Sequence, residues 1–385
     1  MIAAFVAMTI LTSPMASAQS HRAGGSLRRP KRLPLSKFYD SPTSTPSAKP
    51  GTLIRSQPTY DYSLSADVVT TRILYYSRAA DGNAVAVSGV VIVPERQPPS
   101  GGWPVIAWAH GFVGVARECA PSLQENLGEG SFLSMYVNLG YAVVATDYAG
   151  LGTSARNAYV DLPSNAADVI YSVAAARAAV PELGPRWIAM GISEGDLAAI
   201  GVAELEHDPD YLGSIALSGI VDSNNLLAVH LAKALPLYPV FLAYGIKSVF
   251  PKFDAHEILD DVGMNFYTRV QNSCALAGQP RLSPKLILKP NWQENAFVKD
   301  FVGRNTLGEK KASAPLLVLA SETDPETPIA FTTEAVSRLC KQGDRVQFYR
   351  YQNPEARAAI GDSVRDQIGW IQARFANRAA PSNCP

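Results

Sequence analysis

The sequence is short of several features that mark whole classes of protein. Lys and Arg total 34, and so do Asp and Glu, so no net charge attracts the chain to nucleic acid. Beyond the N-terminal segment, no run of about 20 apolar residues offers a membrane-spanning helix, so we expect a soluble mature protein. No two cysteines form a C-x-x-C pair, and no histidines and carboxylates share metal-ligand spacing. The sequence therefore indicates neither a metal site nor an organic cofactor.

What is present is typical of a globular protein with a large core. Hydrophobic residues make up 47% of the 385 residues, and charged residues make up only 18%. The charge is unevenly placed, because residues 19–32 carry five basic side chains and no acidic one, which leaves the rest of the chain mildly acidic. The length fits one large α/β domain with an insertion, or two ordinary domains.

The N-terminal segment resembles an export signal. An apolar run over residues 2–11 is followed by Ala16-Ser17-Ala18, which predicts a signal peptide at residues 1–18. Residues 19–50 are rich in proline, serine and basic groups, and we expect them to form a flexible lead-in. Four cysteines in an exported chain predict two disulfides, for which three pairings exist. We therefore expect a secreted, periplasmic or otherwise extracytoplasmic protein.

From residue 51 onward, strand-like and helix-like segments alternate. This alternation predicts an α/β fold with a mostly parallel sheet and helices on both of its faces. The turn at Asp81-Gly82-Asn83 predicts an antiparallel hairpin between the first two strands. The predicted strands span residues 68–76, 85–94, 103–109, 141–146, 187–190, 214–217, 315–320 and 346–351. The predicted helices span residues 131–139, 166–180, 197–204, 333–339 and 363–375.

Residues 221–312 break this alternation. The stretch 226–250 is apolar but contains two prolines, and polar segments follow it. We interpret the region as a helical cap inserted between the strands 214–217 and 315–320, within a domain that spans residues 51–385. An apolar cap could hold an acyl chain or touch a lipid surface transiently, although an ordinary helical core would show the same composition.

The most informative motif is the G-x-S-x-G run Gly191–Gly195. A buried strand precedes it and a helix follows it, which is the context of a nucleophile elbow. In that turn the two glycines let strand and helix approach each other, and the serine hydroxyl is displayed at the edge of the sheet. The motif therefore predicts Ser193 as a nucleophile.

An oxyanion hole should flank this serine. His110 and Gly111 directly follow the strand 103–109, a position from which a loop commonly supplies one backbone N–H. We expect that donor to be Phe112 and the second donor to be Glu194, immediately after the serine. The imidazole of His110 itself is expected to be a buried structural group.

The remaining catalytic groups should follow the last two strands. Asp324 comes directly after the strand 315–320 and is the candidate acid, with Glu322 as an alternative. The base should be a histidine after the final strand, yet the last histidine of the chain is His256. A serine without a base is a weak nucleophile, and losing the base typically lowers turnover about 10⁴- to 10⁶-fold.

Taken together, several segments resemble the secretory lipase family, the lipase-A-type branch of the α/β-hydrolases. The resemblance covers nearly the whole mature chain and implies a capped α/β-hydrolase fold, export, and hydrolysis of triacylglycerols or other carboxylic esters. It implies the disulfides Cys119–Cys274 and Cys340–Cys384, with Ser193 as nucleophile and Asp324 as acid. The segments that carry it are residues 50–56, 101–111 and 140–148.

The chain departs from the family pattern at the site. The family elbow usually reads G-H-S-Q-G-G, whereas this chain has Ile192, Glu194 and Asp196 at the variable positions. The two added carboxylates are expected to repel an oxyanion. Phe112 replaces a small hydroxyl residue, and the family histidine falls on the Glu355-Ala356 pair.

Three functions are compatible with these residues. The first is weak hydrolysis of a lipid or other small-molecule ester, with a base recruited from elsewhere in the chain. The second is binding of a lipid without turnover, and the third is a non-hydrolytic reaction that uses Glu194 or Asp196 as acid or base. No oligomeric state is predicted. The candidate bases are His230, His256, Glu355 and Glu194.

Overall fold

The computed structural model describes residues 31–42, 47–220, 222, 225, 237–274, 287–324, 327–353 and 356–384. The predicted signal peptide and much of the lead-in lie outside these residues. Within them, nine strands form one sheet in the order β1-β2-β3-β5-β4-β6-β7-β8-β9. They are β1 (Leu53–Thr59), β2 (Val68–Arg78), β3 (Ala84–Pro94), β4 (Trp103–Ala109), β5 (Ala142–Thr146), β6 (Leu183–Gly191), β7 (Tyr211–Ala216), β8 (Leu316–Ser321) and β9 (Val346–Tyr351).

The strand directions confirm the predicted mostly parallel sheet. Strands β1, β2, β3 and β5 pair antiparallel in that order, and the β2–β3 pair is the predicted hairpin. All pairings from β5 through β4 to β9 are parallel. The sequence analysis missed β1, because this edge strand is polar and half-exposed and lacks the apolar alternation of a core strand.

Helices flank the sheet and also fill the interruption between β7 and β8. Three of them, α4 to α6, occupy the region predicted as a cap. No helix in the described segments is long and apolar enough to cross a membrane. The helices are α1 (Gly130–Asn138), α2 (Leu162–Ala179), α3 (Glu194–Leu205), α4 (Leu237–Val249), α5 (Asp261–Val270), α6 (Ala296–Arg304), α7 (Ile329–Lys341), α8 (Ala356–Asp362) and α9 (Val364–Phe375).

The central strands are buried on both faces, which explains their continuous apolar sequences. Along β6, Trp187 and Ala189 face the core that contains α2, α3 and the cap helices. Ile188 and Met190 alternate with them and face the core on the other side of the sheet. Because parallel strands all end at one edge, the loops after β4, β6, β7 and β8 meet there.

The lead-in is not flexible throughout. Phe38 and Tyr39 are buried in a third apolar cluster, and the Tyr39 hydroxyl lies 2.9 Å from the Ser122 hydroxyl. The prediction of a flexible segment is therefore wrong for residues 37–39. It rested on average composition, whereas two aromatic side chains are enough to anchor a short segment by burial.

Two disulfides join Cys119 to Cys274 and Cys340 to Cys384, the pairings that the resemblance implied. The first connects the loop after β4 to the chain that follows α5. The second connects α7 to the C-terminal tail, where the Asn383 N–H donates to the Val346 carbonyl at 3.0 Å. The tail therefore pairs with β9, the last strand of the sheet.

Candidate active site

The turn between β6 and α3 has the geometry of a nucleophile elbow. Ser193 has φ 56° and ψ −116°, a strained conformation, and its side chain is exposed. Both glycines of the motif are required by close contact. A Cβ on Gly191 would lie 1.9 Å from the Gly195 carbonyl oxygen, and one on Gly195 would lie 2.0 Å from the Ala109 carbonyl oxygen. The strand–turn–helix context expected for this motif is present, and the role of Ser193 as nucleophile stays a prediction.

The loop after β4 lies directly against the elbow. A Cβ added to Gly111 would lie 3.3 Å from Ser193 Cβ. The backbone N–H groups of Phe112 and Glu194 donate to no acceptor among the described residues, so both are available to a bound group. The arrangement suits an oxyanion hole made by these two donors, and that role stays a prediction.

The Phe112 side chain packs against α4. Its ring centroid lies 4.8 Å from that of Tyr159 and 4.7 Å from that of Phe241, which belongs to α4. Tyr238, also on α4, completes the cluster at 6.4 Å. These rings form an aromatic wall around Phe112, one residue after the glycine that lies against Ser193.

His110 is a buried structural residue, as the sequence analysis expected. Its Nδ1 lies 2.7 Å from the Gly111 carbonyl oxygen, and its Nε2 lies 3.1 Å from the Asp147 carbonyl oxygen. Burial lowers the pKa of this imidazole. Because both ring nitrogens are engaged within the fold, His110 is not available as a base for Ser193.

Glu194 is buried and hydrogen-bonded inside the fold. Its Oε1 accepts from the Val160 N–H at 3.0 Å and from Asn165 Nδ2 at 3.1 Å. Burial raises the pKa of this carboxyl to about 7, against the opposing effect of the two donors. Val160 itself has φ 50°, so Glu194 supports a strained backbone position beside the elbow.

Asp196 is completely buried below the turn. Its Oδ2 accepts the Ser193 N–H at 2.7 Å, and its Oδ1 accepts the Leu217 N–H at 2.6 Å. Burial raises the pKa of this carboxyl to about 8. At neutral pH both added carboxyl groups are therefore partly protonated, so the expected repulsion of an oxyanion is smaller than full charges would give.

The two candidate acids differ in position. Asp324 is buried after β8, and its Oδ2 accepts from the Thr327 hydroxyl at 2.8 Å. Glu322 is less buried, and its carboxylate accepts from Gln352 Nε2. Asp324 is thus the more buried of the two carboxylates, which suits the role of acid, and that role stays a prediction.

The candidate bases are not brought to the serine in the described part of the chain. The His256 imidazole is 61% exposed and pairs with Asp254 Oδ1 at 2.9 Å. His230 and Glu355 lie outside the described residues, as does Pro354, and Ala356 begins α8. No imidazole or carboxylate of a described residue is hydrogen-bonded to the Ser193 hydroxyl.

Sequence reasoning missed two hydroxyl residues of the site. The Ser193 N–H also donates to Ser218 Oγ at 2.8 Å, and the Thr327 hydroxyl lies 3.0 Å from the Ser218 carbonyl oxygen. Ser218 follows β7 at the carboxyl edge of the sheet, and Thr327 follows Asp324 by three residues. Position at the sheet edge is the signal that could have identified both.

No protein-family model matches the sequence, and no curated protein matches it significantly. Solved structures do match. Candida antarctica lipase A superposes with a TM-score of 0.76 and 16% identity, over 92% of this chain and 89% of that chain. The chain has the α/β-hydrolase fold. A rice cell wall degrading esterase from Xanthomonas oryzae, with the same fold, superposes with a TM-score of 0.67 and 18% identity, over 85% and 98% of the two chains. At these identities the similarity shows the fold of this α/β-hydrolase-fold protein and no more.

Proposed function

We propose that this protein is an exported carboxylic-ester hydrolase of low turnover that acts on lipid-type esters. The observation that carries the proposal is the exposed Ser193 hydroxyl on a strained elbow, flanked by the unengaged N–H groups of Phe112 and Glu194. An elbow with two oriented donors stabilises the negative charge that forms when a hydroxyl adds to an ester carbonyl.

The sequence has no histidine after Asp324, and we expect this to limit the rate. In the proposed reaction, the Ser193 oxygen bonds to the ester carbonyl carbon while the hydroxyl proton passes to water. The intermediate then expels the alcohol, which takes up a proton, and a second water molecule hydrolyses the acyl-enzyme. With water as the proton acceptor, the acceleration comes from the oxyanion hole and from binding, which together give about 10³- to 10⁴-fold over water.

Two observations support a lipid-type ester as substrate. The aromatic wall consists of Phe112, Tyr159 and Phe241, which suit an apolar group rather than a charged one. The similar structures carry the names of a lipase and an esterase. We also propose residues 1–18 as a signal peptide and residues 221–312 as the cap, and two disulfides agree with export.

A second candidate function is binding of a lipid without turnover. It is favoured by the sequence, which has no histidine after Asp324 to complete a triad. In this alternative the elbow persists as a binding feature.

Turnover of nitrophenyl butyrate and nitrophenyl palmitate by the purified mature chain distinguishes the two functions, with Ser193→Ala as the matched control. The hydrolase proposal expects slow release of nitrophenol that disappears in the variant, together with labelling of Ser193 by a fluorophosphonate. Equal rates for both proteins, combined with saturable binding of a fluorescent fatty acid, would establish the binding function instead.

A further inference from the structure

The backbone N–H of Ser193 has an unusual position. It belongs to a residue with positive φ between a strand and a helix, where neither element offers a regular backbone acceptor. It donates instead to two side-chain oxygens, Asp196 Oδ2 at 2.7 Å and Ser218 Oγ at 2.8 Å. The orientation of the nucleophile is therefore set by side chains that the G-x-S-x-G motif does not include.

Asp196 accepts hydrogen bonds from the elbow and from the two residues that follow β7. Its carboxyl group is fully buried and lies in the first turn of α3. Four donors from three residues reach it, which joins the elbow to the end of β7. They are the N–H of Ser193, the N–H of Leu217, and the N–H and hydroxyl of Ser218.

The hydrogen bonds continue from Ser218 to the acid turn. The Thr327 hydroxyl lies 3.0 Å from the Ser218 carbonyl oxygen and 2.8 Å from Asp324 Oδ2, so its one proton is shared between them. The nucleophile turn and the Asp324 turn are thus connected beneath the site by Asp196, Ser218 and Thr327. In a complete triad a histidine makes the connection between serine and acid.

We propose that Asp196 is a positioning residue, which holds the Ser193 turn in the attack orientation and, through Ser218 and Thr327, keeps it in register with Asp324. This inference rests on the proposed ester hydrolysis as the reaction that the orientation serves. Asp196 binds the backbone N–H of the nucleophile, is shielded from solvent, and takes no part in proton transfer. A displacement of about 1 Å at a reacting atom costs about 100-fold in rate, so the loss of this support should be measurable.

The variant Asp196→Gly tests the proposal, because it restores the glycine that the resemblance implies here while removing the acceptor. The measurement is the rate of fluorophosphonate labelling at increasing reagent concentration, which separates the maximal rate from the half-saturating concentration. We expect the maximal rate to fall about 30- to 100-fold with the half-saturating concentration changed less than about 3-fold. Thr327→Val, which removes only the link to Asp324, should lower the maximal rate about 3- to 10-fold.

Glu204→Gln is the matched control. Glu204 is a buried carboxyl on the same helix, and its Oε1 accepts the Gly308 N–H at 2.9 Å, an acceptor that glutamine keeps. It lies eight residues farther along α3, about 12 Å from Asp196. The maximal rate of Ser193 labelling in Glu204→Gln should stay within about 2-fold of the wild-type rate. An equal loss in this control, or a wild-type maximal rate in Asp196→Gly, would overturn the positioning role.

Amide hydrogen exchange of the elbow separates this proposal from the proposed function. If wild-type Ser193 does not react with the fluorophosphonate, the proposed hydrolase is wrong, yet exchange still measures whether Asp196 holds the turn. We expect the Ser193 and Leu217 amides to exchange at least about 10-fold faster in Asp196→Gly, and the Ser193 amide also faster in Thr327→Val. Unchanged exchange in both variants contradicts the inference, whatever the reactivity of the serine.

Discussion

The two halves of the Ser193 site differ in how completely they are built. The nucleophile half, residues 191–196 with Leu217 and Ser218, has two required glycines, two unengaged N–H donors and two hydrogen-bonded carboxyl groups. The proton-transfer half, Asp324 with the segment after β9, has a buried acid held by Thr327 and no histidine among its described residues. Because the two halves come from different strands, charge stabilisation and proton removal can be lost independently.

The largest effect should come from breaking the nucleophile half with Gly195→Ala. The new Cβ would lie 2.0 Å from the Ala109 carbonyl oxygen, so backbone has to move. We expect the free energy of unfolding to fall by at least about 3 kcal/mol, measured by denaturant titration, and fluorophosphonate labelling to disappear. Gly369→Ala on α9, where a Cβ meets no atom within 4 Å, should leave labelling unchanged and raise the free energy of unfolding by up to about 1 kcal/mol, because alanine favours a helix over glycine. Normal labelling of Gly195→Ala would mean that the elbow is not as close-packed as described.

The proton-transfer half can be tested with Ala356→His, which adds an imidazole after β9. An imidazole at the position that the resemblance assigns to the base should raise turnover of nitrophenyl butyrate at least about 10-fold, because a positioned base contributes about 10²- to 10⁴-fold. Ala358→His places the same side chain about 200° around α8 and serves as the control. Equal rates in both variants and in wild type would show that the segment after β9 no longer directs residue 356 toward the serine.

The variant Phe112→Ala removes one ring from the aromatic wall. Removing a half-buried phenyl ring from the cluster with Tyr159 and Phe241 should cost about 2 kcal/mol of unfolding free energy. It should also raise the ratio of palmitate to butyrate ester turnover. Phe132→Ala removes a half-buried ring from the opposite core, where it packs on Trp108, and should destabilise the fold without changing that ratio. If the ratio of palmitate to butyrate ester turnover is unchanged in both variants, the aromatic wall does not contact the bound ester.

The smallest effect is a pH dependence to which the nucleophile half contributes, together with the buried carboxyl groups of Asp168 and Glu204, whose pKa values burial also raises to about 7. Burial raises the pKa of Glu194 to about 7 and that of Asp196 to about 8, so the folded protein holds protons that the unfolded chain has released. Stability should therefore fall as pH rises toward these folded-state values. Below about pH 6.5 the lowered pKa of His110 acts in the opposite direction, so the informative window is about pH 6.5 to 8.5. A melting temperature that rises across this window would contradict the assignment of raised pKa values.

Sequence reasoning was strongest where a local pattern determines structure by itself. The bounds of β4 and β9 agree with the prediction. β4 is a continuous apolar run between turns, and β9 is a half-exposed strand that mixes aromatic and polar residues. The prediction is weakest where the outcome depends on distant partners. Phe38 is buried against residues far along the chain, such as Leu123 and Leu151, and the partners of Asp196 include Leu217, which follows β7. The disulfide pairings followed from resemblance, since spacing alone leaves three arrangements open.

The C-terminal tail determines how the sheet ends. The Asn383 N–H donates to the Val346 carbonyl, and the Asn383 side-chain amide bonds both the N–H and the carbonyl of Phe348. The disulfide between Cys340 and Cys384 keeps the tail in place. At Val346 and Phe348 the edge of the sheet is already hydrogen-bonded, so this part of β9 offers no template for another chain. Reduction of the Cys340–Cys384 bond would remove the covalent link that holds the tail there.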